Sequence, residues 1–410
     1  MKTLIILKGL VKSDKKNWVT QQGLETFFLD YDYHTSLYST PELIKSSSGK
    51  WDYLGRVKTK PAFASFLSAV NSRMENGCLV VLDIGMEKAS TYEQMAMIYG
   101  YDVYYKVFPV PQDYLGNPKK YSNPLYRTKR REELEEELRR FMNFQTSEKT
   151  LIEDYKDIEN KFSSGGYVLD IPDDNNEDIY VFSDIHGNYD LLQKALSEIP
   201  VLSTKIFLGD YIDGETVPGG SKKMIDYVFN HNDYFIEGNH ERRLRKYLYC
   251  VMKKNSPEDT LRKILYNSLP EDWLQTVAIE FQGLSEKEAR EYLRKLNWKL
   301  HLSIILNYRG RKYILTHGGL RCLEQLTPKY IGNVLYGNRD MDEYDRVFSR
   351  DVWKKTGIWS IHAHCKYPGE NPQILKYDGV INLDPRIERG IDPPEIIYIN
   401  LKDNQLCIVQ

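Results

Sequence analysis

Short apolar runs rich in β-branched residues recur along this chain, and several end abruptly in glycine, aspartate or histidine. The first, Thr3–Leu7, is followed by Gly9 and a polar turn and predicts a buried strand. A second, Cys78–Leu82, runs into Asp83-Ile84-Gly85. Between them, Ala62–Met74 has helical spacing. From Lys129 to Arg140 a charged stretch places Leu134, Leu138 and Phe141 on one helix face, and its mixed signs describe a solvated surface laced with ion pairs. Strand and helix signals alternate through residues 1–145, the pattern of a parallel α/β domain.

The texture changes over residues 146–177. A helix is expected from Leu151 to Phe162, followed by Ser163-Ser164-Gly165-Gly166 and by Pro172-Asp173-Asp174-Asn175-Asn176-Glu177, which read as a linker. A second α/β domain, residues 178–410, opens at Ile179–Phe182. Further strands are expected at Lys205–Leu208, Tyr234–Ile236, Tyr313–Leu315 and Trp359–Ile361, with helices between the first three. From Glu241 to Lys312 the pattern is mainly helical. Ser256-Pro257-Glu258-Asp259 and Ser285-Glu286-Lys287-Glu288 read as capped helix starts. Such an insertion is placed to roof a site at the strand ends.

Composition narrows the class. A chain of 410 residues with 41% hydrophobic and 28% charged residues is an ordinary globular protein of two domains. Its net charge of −2 excludes a strongly basic nucleic-acid coat, though a local basic groove survives that average. The five cysteines are scattered and never spaced as CxxC, which points to reduced thiols in a cytosol. No apolar stretch approaches the roughly 18 residues of a membrane span. The apolar core of Met1–Leu7, closed by Lys8, is too short for a secretory signal. The expected address is the cytoplasm of a bacterial cell or of a phage-infected host.

Five segments carry the candidate chemistry: Asp184-Ile185-His186-Gly187-Asn188, Gly209-Asp210-Tyr211-Ile212-Asp213-Gly214, Gly238-Asn239-His240-Glu241, Thr316-His317-Gly318-Gly319 and Ile361-His362-Ala363-His364. Each follows an apolar run, and five of the eight histidines fall inside them. Taken alone, an Asp-x-His at a strand end is ordinarily a hydrogen-bonded turn, and a single buried histidine is ordinarily a satisfied core residue. Their joint, ordered recurrence points instead to one metal site. Asp184 and His186 alternate along an expected strand end, so both side chains would point the same way. The Asp210 carboxylate has two oxygens, enough to bridge two cations. Oxygen and nitrogen ligands without thiolates fit manganese, iron or zinc better than a structural zinc finger.

This ligand order resembles the metallophosphoesterase signature of the calcineurin-like phosphatases, in particular the branch of Ser/Thr protein phosphatases and their bacterial relatives. The resemblance implies an αββα sandwich with a helical insertion. It places one cation on Asp184, His186 and Asp210 and a second on Asp210, Asn239, His317 and His364. Two divalent ions, Mn²⁺ first and Ni²⁺, Fe²⁺ or Zn²⁺ as alternatives, would activate a water and clamp a phosphoryl group. His240 would protonate the leaving oxygen, with Asp213 orienting its ring. Two departures stand out. Gly214 occupies the position where that branch carries an arginine, leaving Arg242, Arg243, Arg321 or Arg386 to grip phosphate. The last segment lacks the family glycine: if Ala363 replaces it, His364 is the ligand, and if Ile361 does, His362 is a ligand too. His364 is preferred because Gly379-Val380-Ile381-Asn382-Leu383-Asp384 follows as a closing strand.

The first domain resembles the P-loop kinase domain of nucleic-acid end kinases, with the phosphate loop damaged. Gly9 and Lys15 are kept, but Asp14 stands at the second glycine position and Lys16 replaces the Mg²⁺-binding hydroxyl. A carboxylate there repels phosphate, and an ammonium cannot ligate a cation. Asp32 falls near the place of the general base, and Arg127, Arg130 and Arg131 where a lid would grip phosphate. The order of the two domains resembles polynucleotide kinase-phosphatases. It implies removal of a 3′-phosphate or opening of a 2′,3′-cyclic phosphate at nucleic-acid ends, RNA favoured, with the kinase half impaired and ATP/Mg²⁺ use doubtful. Alternatives are a phosphoprotein or dinucleoside-polyphosphate phosphatase, and a non-catalytic nucleic-acid or nucleotide-binding protein. No membrane partner is expected, and the oligomeric state is left open, a homodimer included.

Overall fold

A computed structural model of the protein describes residues 2–10, 13–45, 51–57, 59–85, 89–117, 120–121, 131–143, 150–163, 169–171, 178–214, 219–256, 258–320, 322, 326–327, 329, 353–364, 375–377, 379–383 and 395–409. The chain divides into two compact units, Lys2–Asn160 and Lys161–Gln410.

The first unit contains β1 (Lys2–Lys8), β2 (Phe28–Asp30), β3 (Ser39–Lys45), β4 (Trp51–Val57), β5 (Val80–Asp83), β6 (Tyr101–Val107) and β7 (Thr150–Leu151). Five of these form a parallel sheet in the order β2-β5-β1-β6-β7. At its centre Leu4, Ile5, Ile6 and Leu7 are fully buried, as a parallel strand covered on both faces requires. The antiparallel hairpin β3–β4 was not expected from the sequence. The charged helix, Arg131–Met142, turns Leu134 into a cluster with Leu10, Tyr114 and Tyr121, and Leu138 and Phe141 flank it. The helix expected from Leu151 starts only at Lys156. Leu151 instead extends the sheet beside Tyr105, and the Asp157 carboxylate accepts from Glu153 N and Asp154 N, which fixes the helix entry farther on.

The second unit holds β8 (Leu169–Ile171), β9 (Ile179–Phe182), β10 (Thr204–Phe207), β11 (Tyr234–Ile236), β12 (Leu300–His301), β13 (Ser303–Tyr308), β14 (Arg311–Thr316), β15 (Ile358–His362), β16 (Leu375–Tyr377), β17 (Val380–Asn382), β18 (Ile396–Asn400) and β19 (Gln405–Val409). They build two six-stranded sheets, β12-β11-β10-β9-β18-β19 and β16-β17-β15-β14-β13-β8. Side-chain alternation decides what each face buries. Ile179, Val181, Ile206 and Ile236 of the first sheet join Ile304, Leu306, Leu315, Ile361 and Ile381 of the second in one apolar core. The opposite face of the first sheet stacks Phe182 on Phe207 and Phe207 on Phe235, with ring centroids 4.8 and 5.2 Å apart.

Helices Tyr189–Ser197 and Gly220–Asn230 connect β9 to β10 and β10 to β11, so these three strands run parallel. The insertion between β11 and β12 is helical, and Ser285 and Glu288 close a capping box at the start of Glu286–Lys299. At the other expected start the cap is Asp259, which accepts from Arg262 N, and the helix runs from Thr260 to Asn267. Among the described residues no helix is long and apolar enough to cross a membrane.

All five candidate segments lie at the carboxyl ends of β9, β10, β11, β14 and β15, where open α/β sheets form their crevices. Two of these turns meet backbone to backbone. A β-carbon on Gly238 would collide with Asp210 N and Oδ1, and one on Gly209 would stand 2.7 Å from Gly238 N. Fully buried Glu241 fastens the junction: its carboxylate accepts from Asp210 N at 3.2 Å, Tyr211 N at 2.8 Å and Gly238 N at 2.9 Å. The Tyr211 hydroxyl adds a bond to Ile236 O at 2.7 Å.

Gly238→Ala is therefore expected to lower stability by about 3 kcal/mol, because the displaced atoms are backbone. Glu241→Gln should cost roughly 1–3 kcal/mol, since an amide cannot serve all three buried donors. Urea unfolding midpoints measure both, and unchanged midpoints would contradict the packed junction.

Candidate metal centre

Asp210 lies at the middle of the site, fully buried. Its Oδ1 accepts from His240 N at 3.0 Å. Its Oδ2 accepts no hydrogen bond among the described residues, yet His317 Nε2, His240 Nε2 and His364 Nδ1 surround it at 3.3, 3.6 and 3.9 Å. Ligands about 2.1 Å from a shared cation stand roughly 3–3.5 Å from one another, so His317 Nε2 sits at ligand spacing from Oδ2 and the other two nitrogens slightly beyond it. Two groups share the aspartate: His186, Asp210 and His240, and Asp210, His317 and His364, with ligand atoms within 4.8 Å of one another in each. Asn239 Oδ1 stands 3.0 Å from His317 Nε2, and buried Asp184 Oδ1 3.6 Å from His317 Nδ1. The donor set, carboxylate and amide oxygen with imidazole nitrogen, suits divalent cations.

The outer nitrogens of three rings are tied to acceptors. His186 Nδ1 meets Asp213 O at 2.7 Å, His317 Nδ1 meets Leu208 O at 2.9 Å, and His240 Nδ1 meets Asp213 Oδ2 at 2.9 Å. A carbonyl or carboxylate oxygen only accepts, so each Nδ1 carries a proton, and Nε2 is the ring nitrogen turned toward the centre. Burial alone would raise the Asp213 carboxyl. The hydrogen bond and charge of His240 and the Arg243 guanidinium outweigh it and keep that carboxyl below its usual range. Burial likewise works against ionised Asp210, but the charges of His240 and His317 outweigh it and hold that carboxyl well below the carboxylate range. Burial, reinforced by the Asp210 charge, pushes Glu241 up to about 8.

Backbone strain marks the same residues. Six non-glycine residues in the described structure have positive φ, and four of them are His186 at 48°, Asp210 at 47°, Asp213 at 72° and His364 at 56°. Such conformations cost of order 1–3 kcal/mol each and persist where surrounding structure enforces them. They also correct the expected geometry of the first segment. β9 ends at Phe182, and His186 sits in a left-handed turn, not on an extended strand. Asn188 holds that turn by donating from Nδ2 to Ile185 O at 2.9 Å.

His362 belongs to neither ligand group: its buried ring lies against Gly319, with Nδ1 3.1 Å from Ala363 O. Arg242 points into the protein interior and is 1% exposed. It is Arg243, one residue on, that reaches Asp213. Gly9, Lys15 and Asp32 lie in the other unit, while Arg321, Arg386, Arg127 and Arg130 fall outside the described residues. Sequence reasoning missed Glu241 and Asn188 as the residues that fix the turns. A carboxylate in the first turn of a helix directly after a ligand segment was the available signal for Glu241.

The profile of the calcineurin-like phosphoesterase family matches residues 178–384, which contain all five segments. Among solved structures the chain is similar to a putative diadenosine tetraphosphatase, at 18% identity over 59% of this chain and 97% of that one, with a TM-score of 0.38. It is similar to a protein serine/threonine phosphatase from Saccharomyces cerevisiae at 12% identity over 67% and 94%, with a TM-score of 0.37. A cold-active protein-tyrosine phosphatase of a Shewanella species gives 14% identity over 60% and 83%, with a TM-score of 0.35. No curated protein matches the chain. The family profile spans half of the sequence and covers the whole cluster around Asp210, so the chain belongs to the calcineurin-like phosphoesterases, whose chemistry is the metal-dependent hydrolysis of phosphoesters.

Proposed function

We propose that this protein removes phosphate from nucleic-acid ends, RNA first, with Asp184, His186 and Asp210 holding one divalent cation and Asp210, Asn239, His317 and His364 a second. When bound, the two ions supply an activated water and a clamp on the phosphoryl oxygens. Asp213 fixes the His240 ring by accepting from Nδ1 at 2.9 Å, which turns Nε2 to the centre, where it holds a proton for the departing oxygen. The observation that carries the reading is Asp210 Oδ2, buried without a hydrogen bond amid three imidazole nitrogens.

The choice of nucleic-acid ends rests on the first unit. Its parallel sheet has the order β2-β5-β1-β6-β7, and its first strand leads through Gly9 to a helix that begins at Lys15. This supports a kinase-like ancestry. The Lys15 ammonium is buried, 2.7 Å from Asp83 Oδ1 and 3.3 Å from Gly9 O, so its charge is already matched within the protein. Lys16, in the hydroxyl position, pairs with Asp30 at 2.9 Å. Both pairings support a kinase half that no longer transfers phosphate.

Asp210→Asn is expected to reduce hydrolysis of an RNA 3′-phosphate by about 1,000-fold, or roughly 4 kcal/mol of barrier. A panel of RNA 3′-phosphate, 2′,3′-cyclic phosphate, phosphopeptide and diadenosine tetraphosphate with Mn²⁺ measures it, and undiminished turnover contradicts the site. Preference for either of the last two substrates overturns the nucleic-acid assignment. Lys15→Ala should leave that turnover within about twofold and destabilise the first unit by roughly 3 kcal/mol, because it strands a buried carboxylate. Transfer of phosphate from ATP to a 5′-hydroxyl, lost in this variant, would instead show a working kinase.

A further inference from the structure

Arg243 carries an inference that rests on the phosphohydrolase reading and narrows its substrate. Its Nη1 donates to Asp213 Oδ2, the oxygen that also accepts His240 Nδ1–H, and lies 3.4 Å from that ring nitrogen. The arginine is more exposed than the residues it borders: its side chain is 33% exposed, against 19% for Asp213, 8% for His240 and none for Asp210. The position is set by the fold. Helix Glu241–Met252 begins directly after His240, and the Glu241 clamp fixes its first turn to the Asp210 loop. The helix start therefore places the Arg243 backbone beside the centre.

A guanidinium has five donors in a planar fork, and Asp213 takes the Nη1 end. The remaining N–H groups belong to a cation at the rim of a site built for anions. A terminal phosphate carries about −1.5 to −2 charge near neutrality and three non-bridging oxygens. A diester, linear or cyclic, carries a single negative charge on two. If two phosphoryl oxygens are engaged at the centre, only a monoester has a third to offer the rim.

We propose that Arg243 is a specificity-determining residue that binds a non-bridging oxygen of dianionic phosphomonoesters, directing this centre to terminal phosphates over diesters. Of the two reactions at a nucleic-acid end, it favours release of a 3′-phosphate over opening of a cyclic phosphate.

The test uses the full chain with Mn²⁺, comparing p-nitrophenyl phosphate with bis(p-nitrophenyl) phosphate for the unmodified protein, Arg243→Ala and Arg243→Lys. The alanine variant should raise the monoester KM about tenfold, raise the inhibition constant of inorganic phosphate by a similar factor, and lower the monoester-to-diester ratio of kcat/KM about tenfold. Lysine, a point charge without the fork, should recover part of that ratio. Equal losses on both esters, mainly in kcat, would overturn the inference by making Arg243 a prop for Asp213 and His240. Unchanged kinetics would overturn it as well. If the unmodified protein hydrolyses neither ester with any divalent ion, the phosphohydrolase reading itself fails and takes this inference with it.

Discussion

The site depends on the contact between two turns, Gly209-Asp210 after β10 and Gly238-Asn239 after β11. Parallel neighbouring strands bring the turns side by side, but ordinary residues would hold them apart by the width of a side chain. Glycine at both positions lets backbone meet backbone, and the Glu241 carboxylate gathers three amide donors across the junction. Each of those donors would otherwise be buried without an acceptor, a cost comparable to a lost hydrogen bond. With the turns locked together, Asp210, Asn239 and His240 are fixed as a group, and the helix that starts at Glu241 inherits its direction from the same contact.

From that junction the rest of the centre follows by reach. The second sheet, held to the first by the shared apolar core, brings His317 and His364 up from the ends of β14 and β15. Carbonyls and a carboxylate hold the outer nitrogens of His186, His317 and His240, so the inner nitrogens need no search for orientation. The left-handed conformations at His186, Asp210, Asp213 and His364 are the local cost of turning chelating side chains inward at the end of a straight strand. A large, dry core can bear such strain, which is one reason a chemical site sits on a sandwich of this size.

Much of this is legible in the amino-acid sequence. Apolar runs followed by Asp, His or Asn placed the strands β9, β10, β11, β14 and β15 within one or two residues, because a strand buried on both faces leaves a continuous hydrophobic signature. The capping box at Ser285 was equally plain. Less visible was everything decided by pairing partners. Leu151 has a helical neighbourhood in sequence but adds to a sheet edge, and the β3–β4 hairpin carries no Asn-Gly or Asp-Gly turn to announce it. Within the site, the residue types at Asp184 and His186 were readable, while the turn that presents them was not. A left-handed φ at a non-glycine residue is imposed by its surroundings. Arg242 and Arg243 differ only by a rotation of about 100° around one helix, and no local signal told which of the two faces Asp213.

Anomalous diffraction at the Mn edge, on crystals of the protein grown with Mn²⁺, tests the central claim most directly. Two peaks about 3.5–4 Å apart beside Asp210 are expected. Density without anomalous signal among Asp184, His186, Asp210, Asn239, His317 and His364 would contradict it.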